Sequence, residues 1–201
     1  MFMVSEDLKI GLLTDHVPLK NVSALITEKL IMEKARLMNE SLIKDFRLQR
    51  PKIAVLGINP HCGDKGVIGS EDDDIIRPAL KKLYFDENIL VFGPFAADSF
   101  FGSQTYRNYD AVLAPYHDQG LIAFKTIAFG NGVNYTAGLS KVRTSPDHGT
   151  AYEIAGKDIA DPQSFRQAIY TALDVFRNRE EYAELTKNPL KIRTLELEKD
   201  K

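Results

Sequence analysis

Three of the four histidines in this chain each close an apolar run of the kind that forms a β-strand. His16 ends the run that begins Lys9-Ile10-Gly11-Leu12-Leu13. His61 follows Ile53-Ala54-Val55-Leu56-Gly57-Ile58-Asn59-Pro60, and His117 follows Ala111-Val112-Leu113-Ala114-Pro115-Tyr116. In an open α/β sheet the carboxyl ends of parallel strands share one edge, and ligands bind there. Neutral imidazole is the commonest metal ligand, so one reading is a divalent-metal site shared by the three. The other is three unrelated loop histidines. The separations are long, and no local signature such as His-Glu-x-x-His decides between them.

A second group is Lys125, Asn134 and Arg143. Lysine and arginine supply fixed positive charge, and arginine's fork matches phosphate or carboxylate oxygens. Asn134 adds an amide beside a glycine turn. From spacing alone a solvated basic face is the favoured reading, and Lys141, close to Arg143, could equally be the exposed residue. Further on, the Gly149-Thr150 pair stands where a short helix would open and could offer backbone N–H groups to an anion. Neither a Gly-x-Gly-x-x-Gly run nor a Walker lysine motif occurs, which leaves a Rossmann cofactor site or a P-loop unsupported.

The elements that must position these groups alternate. Apolar residues recur at helical spacing from Val22 to Phe46, predicting one amphipathic helix capped by Asn21 or Ser23. Strands are expected over 9–14, 52–58, 89–92 and 111–114. Glycines make 60–69 a loop, after which Ser70 and Asp73 resemble a capping box for a helix with Pro78 near its first turns. Residues 129–134 read as a tight turn between two short strands and 144–150 as a loop; a helix then runs to about Arg177. A solvated tail follows Pro189. This alternation indicates a layered α/β fold with a largely parallel sheet, and the texture changes near residue 120.

Composition narrows the function classes. At 201 residues the chain holds one large domain or two small ones. A formal charge of −2 gives no electrostatic footprint for nucleic acid or an anionic membrane. A single cysteine, Cys62, excludes an intramolecular disulfide and suits a reducing compartment. No apolar stretch reaches membrane-span length, and residues 1–7 lack the pattern of a signal peptide. The expectation is a soluble cytoplasmic protein.

Four runs carry a resemblance: Thr14-Asp15-His16-Val17-Pro18-Leu19, Gly57-Ile58-Asn59-Pro60-His61, Tyr116-His117-Asp118-Gln119-Gly120 and Arg143-Thr144-Ser145-Pro146-Asp147-His148-Gly149-Thr150-Ala151. In order and spacing they resemble the 4-hydroxythreonine-4-phosphate dehydrogenase family of pyridoxal phosphate biosynthesis, from Met1 to about Arg177. The resemblance implies a three-layer α/β/α fold of the isocitrate/isopropylmalate dehydrogenase-like type, with a mixed, mostly parallel sheet. Residues 1–120 would form a metal-binding and dimerisation domain. Residues 121–201 would be the C-terminal part of the substrate and NAD domain, lacking its N-terminal complement.

The resemblance also implies roles. His16, His61 and His117 would hold a divalent ion, zinc first and magnesium or cobalt as alternatives, in a site shared at a homodimer interface. Lys125, Asn134 and Arg143 would contact a small phosphorylated hydroxy amino acid. Asp147, His148, Gly149, Thr150 and Ala151 would face NAD, and Asp118 would orient a neighbouring imidazole. The implied reaction is NAD-dependent oxidation and decarboxylation of 4-phosphohydroxy-L-threonine to 3-amino-2-oxopropyl phosphate, with the ion as Lewis acid on the substrate hydroxyl. No general base is assigned.

One departure from the family matters. Its members carry an upstream segment with a His-Thr pair that contacts substrate, and no such pair occurs here. Without that segment a sheet edge or apolar face would be uncovered. Two readings follow: a competent dehydrogenase whose missing part is dispensable or supplied by another chain, or a truncated, non-catalytic, dimerising metal-binding fragment. A related dehydrogenase for another small phosphorylated or carboxylated hydroxy acid is a lesser third.

Overall fold

The buried apolar runs form the middle of one sheet. In a computed structural model, which describes residues 1–128 and 130–190, β2 (Lys9–Leu12), β3 (Ile53–Leu56) and β5 (Ala111–Ala114) are nearly or fully buried. Both faces are covered, as continuous apolar runs require. They join β1 (Phe2–Val4), β4 (Val91–Phe95), β6 (Val133–Tyr135) and β7 (Thr144–Pro146) in the order β4-β3-β5-β2-β1-β6-β7. β2, β5, β3 and β4 pair in parallel. β1 is antiparallel to β2 and to β6, and β7 is antiparallel to β6. Reversed twice relative to β2, β6 points the same way as the parallel set. The carboxyl ends of β4, β3, β5, β2 and β6 therefore lie along one rim.

Strand alternation divides the core. Ile53, Val55, Leu113, Val133 and Tyr135 face one layer, made of α2 (Glu28–Lys44), α3 (Arg77–Phe85) and α6 (Gln163–Thr186). Ala54, Leu56, Val112, Ala114 and Met3 face the other, where Phe100 of α4 (Ala97–Gly102) and Leu121 and Phe124 of α5 (His117–Ile127) pack. The fold is α/β/α with a mixed sheet. No helix among the described residues is long and apolar enough to cross a membrane. The sheet runs on across residue 120, since β6 and β7 extend it from β1.

Several sequence expectations are corrected. The helix expected over 22–46 breaks in two, α1 (Val22–Leu25) and α2, because the Thr27 hydroxyl caps α2 by accepting from the Leu30 N–H at 3.2 Å; neither Asn21 nor Ser23 caps a helix with its side chain. Ser70 and Asp73 make only a backbone bond, and a π-helical turn over Asp72–Ile76 leads into α3. The turn expected between two strands joins α5 to β6; its first residue, Phe129, lies outside the described residues, as does the tail from 191. Part of the expected 144–150 loop is β7. The last helix runs nine residues past Arg177, to Thr186. Its outer stripe of Phe165, Ile169, Leu173 and Phe176 is exposed.

A buried polar cluster fastens α6 and β6 to α2. The Asp45 carboxylate, at the end of α2, accepts from Arg179 Nε at 2.6 Å and from the hydroxyls of Ser41 and Tyr135. Arg179 also donates to the Tyr135 hydroxyl at 2.8 Å and to the Leu139 carbonyl at 2.9 Å, and Asn178 Nδ2 donates to the Asp45 carbonyl at 2.7 Å. Burial, and then the Asp45 hydrogen bond, push the Tyr135 phenol up to about 12. The Asp45 carboxylate is buried with both oxygens hydrogen-bonded and Arg179 is partly buried, the condition under which burying charge is tolerated.

Candidate metal and substrate site

β2 and β5 are neighbours, so the residues that leave their carboxyl ends meet. Thr14 N–H bonds to the Pro115 carbonyl at 3.2 Å and the Thr14 hydroxyl to the same oxygen at 2.8 Å, holding the two exits side by side. The His16 and His117 rings then lie 5.5 Å apart between centroids. They flank a cavity of about 480 Å³ whose other walls include Asp15, Tyr116 and Asp118. His117 opens α5, and its Nδ1 lies 2.7 Å from Asp118 Oδ1. In the tautomer that donates this proton, Nε2 is free to coordinate, the usual outer-carboxylate arrangement of metal-bound histidine. Asp15 Oδ1 is buried without a partner at the same rim.

His61 also stands on this rim, past β3, on a loop of unusual backbone. His61, Cys62, Gly63, Asp64 and Lys65 all have φ between 43° and 82°, a left-handed turn of which glycine supplies one residue. At Gly63 a Cβ would stand 2.1 Å from the Gly69 carbonyl oxygen, so the loop closes only with glycine there. Burial, with Asp72 second, pushes the Cys62 thiol up, disfavouring the thiolate that a metal would need.

Among the described residues no group of three or more His, Cys, Asp or Glu side chains converges closely enough to hold an ion. His16 and His117 fit part of a zinc-type shell by donor chemistry and placement. A complete shell would need at least one further donor, and among the described residues His61 does not form such a group with these two.

The second set of residues is divided. Alternation puts Asn134 on the face that α5 covers, opposite Val133 and Tyr135. Its Oδ1 is buried without a partner. Arg143 donates to the Thr136 hydroxyl at 2.9 Å, near the rim end of the β6–β7 hairpin. Lys125 lies two turns beyond His117, about 12 Å along α5 toward the opposite edge. There it bonds the Asp147 carbonyl at 3.2 Å and pairs with its carboxylate at 3.3 Å.

The run from Asp147 to Ala151 is a loop whose His148, Gly149 and Thr150 are exposed; Ser164 Oγ accepts the Asp147 N–H at 3.0 Å. The helix expected after Gly149-Thr150 is a three-residue 3₁₀ turn, Tyr152–Ile154, too short to focus a helix dipole. Sequence reasoning did not single out Asp45, Asp72 or Arg179, whose partners lie elsewhere in the chain. Buried aspartates of this kind leave no local pattern.

The description "pyridoxal phosphate biosynthetic protein PdxA" belongs to the family whose sequence profile matches residues 1–172. A 4-hydroxythreonine-4-phosphate dehydrogenase of Bacteroides thetaiotaomicron is 50% identical over 191 residues, 95% of this chain and 52% of that protein. The crystal structure of the enzyme of that name from Klebsiella pneumoniae superposes with a TM-score of 0.74 at 35% identity, covering 87% of this chain and 53% of that one. A terephthalate 1,2-cis-dihydrodiol dehydrogenase from Burkholderia xenovorans superposes at 0.68 and 30% identity, over 86% of this chain and 54% of that one. The chain spans about half the length of the curated relatives it matches. By the extent of these matches, the chain belongs to the PdxA family of pyridoxal phosphate biosynthetic proteins.

Proposed function

We propose that this chain forms the metal-binding and dimerising part of an NAD-dependent dehydrogenase that converts 4-phosphohydroxy-L-threonine to 3-amino-2-oxopropyl phosphate. The family match over residues 1–172 carries this reading, supported by the two imidazoles at one rim. A divalent ion, zinc first and magnesium or cobalt as alternatives, would when bound supply Lewis-acid activation of the substrate hydroxyl. His16 and His117 hold it, with Asp118 fixing the His117 ring. His61 completes the shell across a homodimer interface, which accounts for only two imidazoles meeting within one chain. Arg143 binds an anionic end of the substrate and Asn134 adds a buried amide oxygen for its ammonium or hydroxyl group. Lys125 contributes positive charge once released from Asp147, and Asp147 to Ala151 face NAD. The reaction belongs to the cytoplasm, with no nucleic acid or membrane partner.

The test is NADH appearance on mixing the zinc-loaded chain with NAD and 4-phosphohydroxy-L-threonine. Turnover lost in Arg143→Ala supports the reading. A zinc-binding dimer without turnover supports the second one, a non-catalytic metal-binding fragment.

A further inference from the structure

The exit of β3 is held from several sides, and none of the holding groups has a role in the reading above. Gln119, in the first turn of α5, donates its side-chain amide to the Gly57 carbonyl at 2.8 Å, across 62 residues of sequence. The fully buried Asp72 carboxylate accepts from the Ile58 N–H at 2.8 Å, the Asn59 N–H at 3.0 Å and Asn59 Nδ2 at 3.1 Å. Gly57 has no space for a side chain: a Cβ would stand 2.8 Å from Asp72 Oδ1 and 2.9 Å from Cys62 Sγ.

Beyond these anchors comes the left-handed turn that carries His61. Left-handed backbone is unfavourable at each non-glycine residue. The turn therefore does not hold itself in place by backbone preference; its base must be fixed by side chains. Gln119 is two residues from His117 on the same helical turn, so its hydrogen bond links the helix bearing one candidate ligand to the strand leading to another. Its Oε1 is buried without a partner, which leaves the Gly57 bond as the contact that sets its orientation.

We propose that Gln119, backed by Asp72, is the positioning residue that fixes the His61 loop to its own sheet rim, and so presents His61 toward the shell across the interface. This rests on the metal-centre reading above. Outer hydrogen bonds that orient a metal site change affinity about 10- to 100-fold when removed, and the donor N–H, not the bulk of the side chain, carries the effect.

Gln119→Met keeps the length and removes the donor. Two measurements test it against the wild-type chain: hydrogen exchange of the loop-bonded amides of Cys62, Val67 and Ile68 in metal-free protein, and titration with zinc and cobalt(II). The expected result is exchange at least tenfold faster in the loop with β3 and β5 unchanged. Zinc affinity should fall about tenfold, with an altered cobalt(II) visible spectrum. Unchanged loop exchange and an unchanged spectrum overturn the proposal. If Gln119→Met does not fold, Gln119→Leu removes the donor without adding charge and is read the same way. A wild-type chain that binds neither ion ends the metal-centre reading, while the exchange comparison still decides whether Gln119 holds the loop.

Discussion

The cluster around Asp45 and the rim at His16 and His117 are both polar, yet they treat their atoms in opposite ways. Both oxygens of Asp45 are occupied by Arg179, Tyr135 and Ser41, and the whole group is largely sealed from water. At the rim His16 is exposed, Asp15 Oδ1 has no partner, and the His117 ring is held by a single carboxylate. A satisfied buried cluster fixes the fold, because every removal strands a charge. An incomplete one, rich in metal-type donors and open to a cavity, is poised to be completed by a ligand. On the proposed function, one region serves stability and the other would serve chemistry.

The largest effect expected is from Asp45→Ala, which strands the Arg179 guanidinium. Urea unfolding should show a loss of about 3–5 kcal/mol, with zinc affinity of the folded protein unchanged. A loss within the ordinary surface range would break the comparison from the structural side.

Alkaline pH sharpens the same contrast. The Tyr135 phenol, ordinarily near 10, is pushed up to about 12 in the folded chain, so its neutral form is favoured there. Above pH 10 the unfolded chain gives up that proton first. The stabilisation is therefore fully present below pH 10 and is lost as pH rises toward 12, amounting to about 2–3 kcal/mol. Tyr135→Phe should flatten this part of the stability profile; an equally steep decline would mean that other groups cause it.

A smaller effect is expected at the hairpin. Arg143→Ala should weaken binding of a phosphorylated substrate analogue by about 1.5–3 kcal/mol, the range for a charged hydrogen bond. Zinc affinity should stay as in the wild type. Parallel loss of both would mean that Arg143 supports the fold instead.

Much of the scaffold is legible because its signals are local. Ile53–Leu56 and Ala111–Ala114 are unbroken apolar runs, and Glu28–Lys44 keeps a helical apolar period. β1 escapes notice because three residues, Phe2–Val4, carry no measurable period. The left-handed turn after Asn59 is hidden because only Gly63 among five residues announces positive φ. For the site, strand-end position brings His16 and His117 to one rim, but their 5.5 Å approach depends on β2 pairing with β5, which spacing does not specify. The Asp45 cluster is invisible in sequence because its partners lie 90 and 134 residues away.

The most direct test of the rim as a metal centre is zinc titration of metal-stripped protein, with oligomeric state recorded in the same sample and His117→Ala alongside. The account predicts one tight site per chain in a dimer, abolished in His117→Ala while unfolding stability of the metal-free protein changes by less than about 0.5 kcal/mol. Zinc affinity unaffected by His117→Ala, or no specific site in the wild-type chain, would contradict it.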